Sequence, residues 1–140
     1  MANLPQIERV LFFQETNLFT HCSTAQVMRI AAIASERTYP AGERVYSIND
    51  PSDAIHCLVD GGVRLENGSA EQTRVEPGTS FGVLDLMSGR LRTANATAET
   101  DTVTLAIEAD DFFDLLSNNI EIVKALVRFL SDRVTTPLAW

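Results

Sequence analysis

Residues 54–68 read AIHCLVDGGVRLENG, and the pattern of this segment indicates an all-strand region. Apolar residues recur at every second position on either side of a glycine pair: Ile55, Cys57 and Val59 before it, and Val63 and Leu65 after it. Such alternation is typical of β-strands. Asn67-Gly68 follows, and these two residues accept the positive φ angles of a two-residue hairpin turn. The stretch therefore predicts two short strands and the start of a hairpin. His56 and Cys57 should point to opposite faces of the first strand.

Further short strands are predicted toward the C-terminus. Apolar residues alternate again in two later stretches, which are Ala94, Ala96 and Ala98, then Val103, Leu105 and Ile107. Turn-forming residues separate the strand-like runs at 39–42, 49–51, 60–62 and 77–78. Many short strands closed by turns indicate a sandwich or a barrel.

Helices are predicted before the strands. Apolar residues at helical spacing place a first short helix near residues 5–14. Ser23 with Gln26 three residues later forms a capping-box pattern, so a second helix should begin there.

Helices are also predicted after the strands. A short helix follows Asp110, and a longer one carries a wide apolar face made of Val123, Leu126, Val127, Leu130 and Val134. The chain is predicted to be one domain, 1–140, with helices in 5–35, a β-roll in 36–108 and C-terminal helices in 110–134.

Composition and charge exclude several classes of protein. The 140 residues are 45% hydrophobic and 21% charged, which is ordinary for a globular domain. A net charge of -8 opposes nucleic acid and anionic membranes as partners. No apolar run is long enough to enter a membrane, and the first residues do not resemble a signal peptide, so a cytoplasmic location is predicted. Cys22 and Cys57 fit free thiols in a reducing compartment, and a single disulfide stays open.

Four motifs carry a resemblance to a known family. They read YPAGE at 39–43, NDPSDA at 49–54, VDGGVRL at 59–65 and EPGTSFG at 76–82. In this order, between helices, they resemble the cyclic nucleotide-binding domain of catabolite activator proteins, kinase regulatory subunits and gated channels. The resemblance implies an α+β fold: an eight-stranded antiparallel β jelly roll (double-stranded β-helix) with N-terminal helices. It also implies two C-terminal helices that move when ligand binds.

The family binds its cyclic phosphate with one loop, which here reads FGVLDLMSGRLRTA at 81–94. A buried phosphate needs close backbone approach, a guanidinium and a hydroxyl. The resemblance therefore implies five ligand-binding residues, Gly82, Val83, Leu84, Arg92 and Thr93. Arg92 is expected to be the strongest partner of any bound anion. Arg92→Ala is expected to lower anion affinity and to leave the melting temperature nearly unchanged. The alternative is a surface loop with a solvated arginine.

Two residues depart from the family pattern. Val83 replaces the glutamate that accepts a hydrogen bond from the ribose hydroxyl, a loss of about 1.5–3 kcal/mol. Asp85 stands where the family usually has a small residue. Three orientations of its carboxylate are open: it points inward and repels a phosphate, it turns to solvent, or it pairs with Arg90 or Arg92. The phosphate-binding cassette is thus expected to be degenerate, and cyclic AMP and cyclic GMP are expected to bind weakly or not at all.

No catalytic or metal site is indicated. His21 and His56 are too few and too far apart for a jelly-roll metal site, and no nucleophile–base motif or phosphate-binding P-loop is present. We expect no enzyme activity, no metal and no cofactor, the candidate ligand being a cyclic nucleotide or another small anion.

The expected function is a ligand-sensing regulatory domain of the cyclic nucleotide-binding type within a larger protein. A structural or protein-interaction module without a ligand is the alternative. The expected partners are a second copy of the chain or an attached effector domain, either of them bound through the C-terminal helix. The alternative is that this helix folds back and buries its whole apolar face against Phe112, Leu116 and the N-terminal helices.

Overall fold

The structure is a computed structural model that describes residues 4–69 and 72–133. In chain order the helices are α1 Gln6–Glu15, α2 Thr24–Ile33, α3 Val83–Met87, α4 Ala109–Ser117 and α5 Ile120–Asp132, with a 3₁₀ turn at Asn17–Phe19. The strands are β1 Ala34–Tyr39, β2 Arg44–Tyr46, β3 Ala54–Asp60, β4 Val63–Glu66, β5 Gln72–Val75, β6 Ser80–Phe81, β7 Asn95–Ala98 and β8 Thr102–Glu108. No helix within these described ranges is long and apolar enough to cross a membrane.

The eight strands form two four-stranded sheets. Their orders are β1-β8-β3-β6 and β2-β7-β4-β5, and every recorded pairing is antiparallel. Neighbours in each sheet are mostly distant in sequence, which is the crossing pattern of a jelly roll. The predicted α+β fold with an eight-stranded antiparallel β jelly roll is confirmed.

The N-terminal helices follow the sequence signals closely. The Ser23 Oγ accepts the Gln26 backbone N–H at 3.3 Å, and the Gln26 Oε1 accepts the Ser23 backbone N–H at 2.8 Å. This reciprocal capping box fixes the start of α2, as predicted. Helix α2 then runs directly into β1 at Ala34, slightly before the predicted start of the roll at 36.

Strand β3 is buried on both faces from Ala54 to Leu58. Ile55 and Cys57 pack into the large core that the helices cover. His56 and Leu58 point into the barrel, where the His56 ring stacks on Phe81 at 5.2 Å between centroids. The predicted opposite orientation of His56 and Cys57 is confirmed. The alternation in sequence arises because one face meets helices and the other meets the opposing sheet.

The predicted two-residue hairpin at Asn67-Gly68 is wrong. Strands β4 and β5 do form an antiparallel hairpin, but the last pair is Glu66 with Gln72, so residues 67–71 connect them. Gly68 has a φ of +86°, whereas Asn67 is not left-handed. The Asn-Gly pair therefore marked the hairpin but not its length.

The C-terminal helices fold back onto the helical side of the roll. Helix α5 buries the face made of Ile122, Ala125, Leu126 and Phe129. Val123 and Leu130 are partly buried, and Val127 is 54% exposed. Val134, the last member of the predicted apolar face, lies outside the described residues. Most of that face is therefore covered by the chain itself. Cys22 and Cys57 are free thiols, as predicted.

Candidate functional site

A cavity of about 460 Å³ opens between the barrel, the loop after β6 and the end of α5. Its size falls within the range of small-molecule sites, roughly 300–1,000 Å³. Tyr46, Val75 and Phe81 supply apolar walls from the strands. Of the five predicted site residues, Gly82, Val83, Leu84 and Thr93 line this cavity, whereas Arg92 does not. The loop that the sequence singled out therefore lies at a cavity. Its arginine, Arg92, is not among the residues that line this cavity.

Gly82 allows the loop to turn tightly over Arg92. Its φ is +76°, in the left-handed region that glycine adopts without strain. A Cβ at this position would lie 2.7 Å from the Arg92 Nη1. Both the backbone angle and the close guanidinium therefore require glycine here.

Arg92 is a core residue in this structure. It is 1% exposed, and its Nη1 donates to the Gly82 carbonyl oxygen at 2.8 Å. Its Nη2 donates to the Ala54 carbonyl, and the guanidinium carbon lies 4.2 Å from the centroid of the Tyr46 ring. Carbonyl oxygens and an aromatic face can hold a buried cation without a carboxylate. These contacts argue against the expectation that Arg92→Ala leaves thermal stability nearly unchanged, since the change would remove a charged donor from two buried carbonyls.

Asp85 adopts one of its predicted alternatives, a pair with Arg90. The Arg90 Nη2 lies 3.5 Å from the Asp85 Oδ1. The carboxylate also accepts the Thr93 backbone N–H at 3.2 Å and the Thr93 hydroxyl at 3.1 Å. The Asp85 side chain is only 12% exposed. The Asp85 carboxylate therefore accepts both hydrogen-bond donors of Thr93, a residue that the family resemblance assigns to ligand binding.

The two positions after Gly82 present apolar side chains. Val83 is 8% exposed and packs with Leu86 in the helix-covered core, while also lining the cavity. Leu84 is 59% exposed at the rim. Neither side chain carries a hydrogen-bond acceptor. At this side of the cavity, recognition of a ligand hydroxyl would have to come from other groups.

A stacked aromatic group lies beneath the loop. The rings of Tyr46 and His56 are 6.0 Å apart, and His56 stacks on Phe81 at an interplanar angle of 18°. Burial lowers the pKa of His56 to about 3, and the charges of Arg37 and Arg92 act in the same direction. Burial also raises the pKa of Tyr46 to about 12. Both rings are therefore neutral at physiological pH.

The last turn of α5 covers one side of the cavity. Phe129, Leu130 and Arg133 line it, with the Arg133 guanidinium 4.7 Å from the centroid of the Phe129 ring. The His21 Nε2 lies 2.7 Å from the Asp132 Oδ2, which ties this turn to the N-terminal helices. Sequence reasoning found α5 but missed its contact with the cavity, because helical spacing does not say which part of the barrel a helix end will meet.

No metal centre is evident in this part of the molecule. Within residues 4–69 and 72–133, no three His, Cys, Asp or Glu side chains come together as candidate ligands. The titratable groups at the cavity are Arg74, Glu76, Asp85, Arg90 and Arg133, together with Tyr46.

The sequence and the fold both match known proteins. Residues 36–119 match the family model of the cyclic nucleotide-binding domain. A cyclic nucleotide-gated potassium channel of Mesorhizobium japonicum is 31% identical over 83% of this chain and 32% of its own length. The cyclic AMP receptor protein of Thermus thermophilus is 28% identical over 84% of this chain and 56% of its length. The chain thus spans less than two thirds of either relative.

A solved structure shares the fold. The N-terminal domain of a transcriptional regulator from Streptomyces coelicolor superposes with a TM-score of 0.75 at 27% identity. The match covers 87% of this chain and 91% of that domain. With the jelly roll, the loop after β6 and the matched residues 36–119, the chain belongs to the cyclic nucleotide-binding domain family, a family of regulatory domains.

Proposed function

We propose that this chain is a ligand-sensing regulatory domain whose cavity binds cyclic AMP and cyclic GMP weakly or not at all. The observation that carries the proposal is the pair of side chains at 83 and 85. Val83 offers no acceptor to a ribose hydroxyl, and the Asp85 carboxylate lies on the Thr93 donors. The first change costs about 1.5–3 kcal/mol of binding, and the second places a negative charge where a phosphate would lie.

The proposal includes a larger, cytoplasmic and non-catalytic protein context. The matched relatives are longer than this chain, and the domain forms part of each. In such an arrangement the domain acts on an attached effector domain, or on a second copy of the chain, through the C-terminal helices. Two free cysteines suit a reducing compartment. The net charge of -8 argues against nucleic acid as a direct partner of this domain.

A second function is favoured by the internal pairing of the loop. Arg92 donates to carbonyl oxygens of Gly82 and Ala54, and Asp85 accepts from Thr93. A loop whose charged groups find partners within the chain needs no ligand to be stable. The alternative is therefore a structural or protein-interaction module that keeps the fold without a ligand.

Calorimetric titration with cyclic AMP and cyclic GMP tests the proposal. We expect dissociation constants weaker than about 10 μM, that is, less than about 7 kcal/mol of binding. Val83→Glu should tighten cyclic nucleotide binding by roughly ten- to hundredfold, because it restores the acceptor. Val83→Leu is the matched control and should give no gain. Micromolar or tighter binding by the unmodified chain would overturn the proposal, and no binding even by Val83→Glu combined with Asp85→Ala would favour the ligand-free module.

A further inference from the structure

The cavity contains a carboxylate at the point where its hydrogen-bond donors converge. The Asp85 carboxylate accepts the Thr93 backbone N–H at 3.2 Å and the Thr93 hydroxyl at 3.1 Å. The Arg90 guanidinium approaches the same carboxylate at 3.5 Å. A backbone amide, a hydroxyl and a guanidinium together form the donor set that binds an oxyanion. Here that set holds an oxyanion belonging to the chain itself.

We propose that Asp85 is an internal anion that occupies this subsite, so that an anionic ligand binds only when Asp85 moves away or is removed. The inference rests on the proposed ligand-sensing function and names the residue that sets its specificity. Asp85, Arg90 and Thr93 all line the cavity, so a ligand that enters would compete with the carboxylate for the same donors. The cavity of the unmodified chain therefore favours ligands without an anionic group at this position.

The position of Arg92 strengthens the competition. Its Nη1 and Nη2 donate to the carbonyl oxygens of Gly82 and Ala54, and it does not line the cavity. An entering anion thus meets Arg90 as the guanidinium of the loop, and Arg90 already pairs with Asp85.

The other cavity arginines differ in how far they are neutralised. The Arg74 Nε lies 3.0 Å from Glu99 and 3.9 Å from Glu76, so acidic groups already pair with it. The Arg133 guanidinium rests on the Phe129 ring instead. Replacing Asp85 by a neutral residue would leave Arg90 and Arg133 as positive charges that line the cavity, together with two freed donors on Thr93. The modified cavity should then attract anions.

The test compares Asp85→Ala with the unmodified chain, using inorganic phosphate and cyclic AMP as probes in calorimetric titrations. We expect both anions to bind at least about tenfold more tightly to Asp85→Ala, since a like charge is removed and the donors are freed. The matched control is Asp85→Ala combined with Thr93→Val, which removes the hydroxyl and should lose most of the gain. Circular dichroism melting verifies that each variant is folded.

A folded Asp85→Ala variant that binds neither anion more tightly overturns the inference, including the case in which neither binds measurably. If Asp85→Ala does not fold, Asp85→Asn decides, because it keeps the shape and removes the charge. The inference is also overturned if the gain in anion affinity of Asp85→Ala persists when Thr93→Val and Arg90→Met are added to it, because the proposed donors are then absent. If Asp85→Ala changes nothing while Val83→Glu tightens cyclic nucleotide binding, the ligand-sensing function stands and only this inference fails.

Discussion

The two faces of β3 build two unlike interiors. The helix-facing side joins Ile55 and Cys57 to an apolar core that reaches Phe13, Phe112 and Leu126, all almost fully buried. The barrel-facing side presents His56 to Phe81 and Tyr46, with the buried guanidinium of Arg92 against the Tyr46 ring. The first interior is made of apolar side chains, so burial of apolar surface is its main stabilising contribution. The second also depends on hydrogen-bond partners for polar groups, and it lies next to the cavity.

The difference indicates a division of labour within the fold. The helix-facing core is large and continuous from α1 to α5, so it supplies most of the stability. The barrel interior is smaller. The buried residues of its apolar cluster are Tyr46, Leu58, Val63, Val75, Phe81 and Ala96. A small interior that relies on a cation and a neutral imidazole is sensitive to single changes in charge. Substitutions and pH should therefore affect the two interiors differently.

The largest expected effect comes from Arg92→Met, which keeps much of the apolar stem and removes the guanidinium. We expect a loss of about 2–4 kcal/mol in the free energy of unfolding, because the Gly82 and Ala54 carbonyls lose charged donors inside the protein. Denaturant unfolding measures it. The control is Arg90→Met, whose side chain is 58% exposed and should change stability by less than about 0.5 kcal/mol. Equal effects of the two changes would show that the buried guanidinium of Arg92 stabilises the fold no more than the exposed guanidinium of Arg90.

Arg92 also shows how far the sequence could lead. Its spacing from Gly82 correctly indicated that the two residues belong to one loop, and they are in contact. The direction of its side chain depends on Ala54 and Tyr46, which are distant in sequence and reach Arg92 only after the barrel closes. No local pattern encodes that closure. The same reason explains why Asp85 was left with several alternatives and why the α5 residues at the cavity were missed.

Signals that depend on near neighbours were more informative. The Ser23–Gln26 capping box predicted the start of α2, because both partners lie within one helical turn. The alternation in β3 predicted the opposite directions of His56 and Cys57, since this follows from strand geometry alone. The loop after β4 shows the limit, because residues 67–71 differ from the two-residue turn that Asn67-Gly68 suggested.

Acid should weaken the barrel side through His56. Its folded-state pKa is about 3, against an ordinary value of 6.5, so between these values the unfolded chain binds a proton that the folded chain does not. The contribution of His56 is thus fully present above pH 6.5 and is lost as pH falls toward 3. The expected slope is up to about 1.4 kcal/mol per pH unit in the free energy of unfolding.

Urea unfolding at a series of pH values measures this slope. His56→Phe keeps a flat ring against Phe81 and should flatten the pH dependence between 6.5 and 3. His21→Gln is the matched control, since His21 is the other histidine, and it should leave most of the slope in place. A slope that is unchanged in His56→Phe would assign acid sensitivity to carboxylates on the surface instead of the barrel interior.

The smallest expected effect on stability is on the helix side, at Val127 of α5. Val127 is 54% exposed and Ile120, two helical turns earlier on the same face, is 64% exposed. Because the chain itself leaves Val127 in contact with solvent, Val127→Lys should change the free energy of unfolding by less than about 0.5 kcal/mol. Leu130→Lys is a poorer probe of this face, since Leu130 is partly buried and lines the cavity.

The same substitution, Val127→Lys, tests whether α5 is an interface. If two copies of the chain meet through this face, Val127→Lys should convert the dimer to a monomer in light scattering while leaving the melting temperature of the monomer unchanged. An unmodified chain that stays monomeric at high concentration would instead leave an attached effector domain as the partner of α5. A loss of more than 1 kcal/mol in the monomer would contradict the division of labour, because it would mean that the helix-facing core extends to a residue that the structure leaves outside.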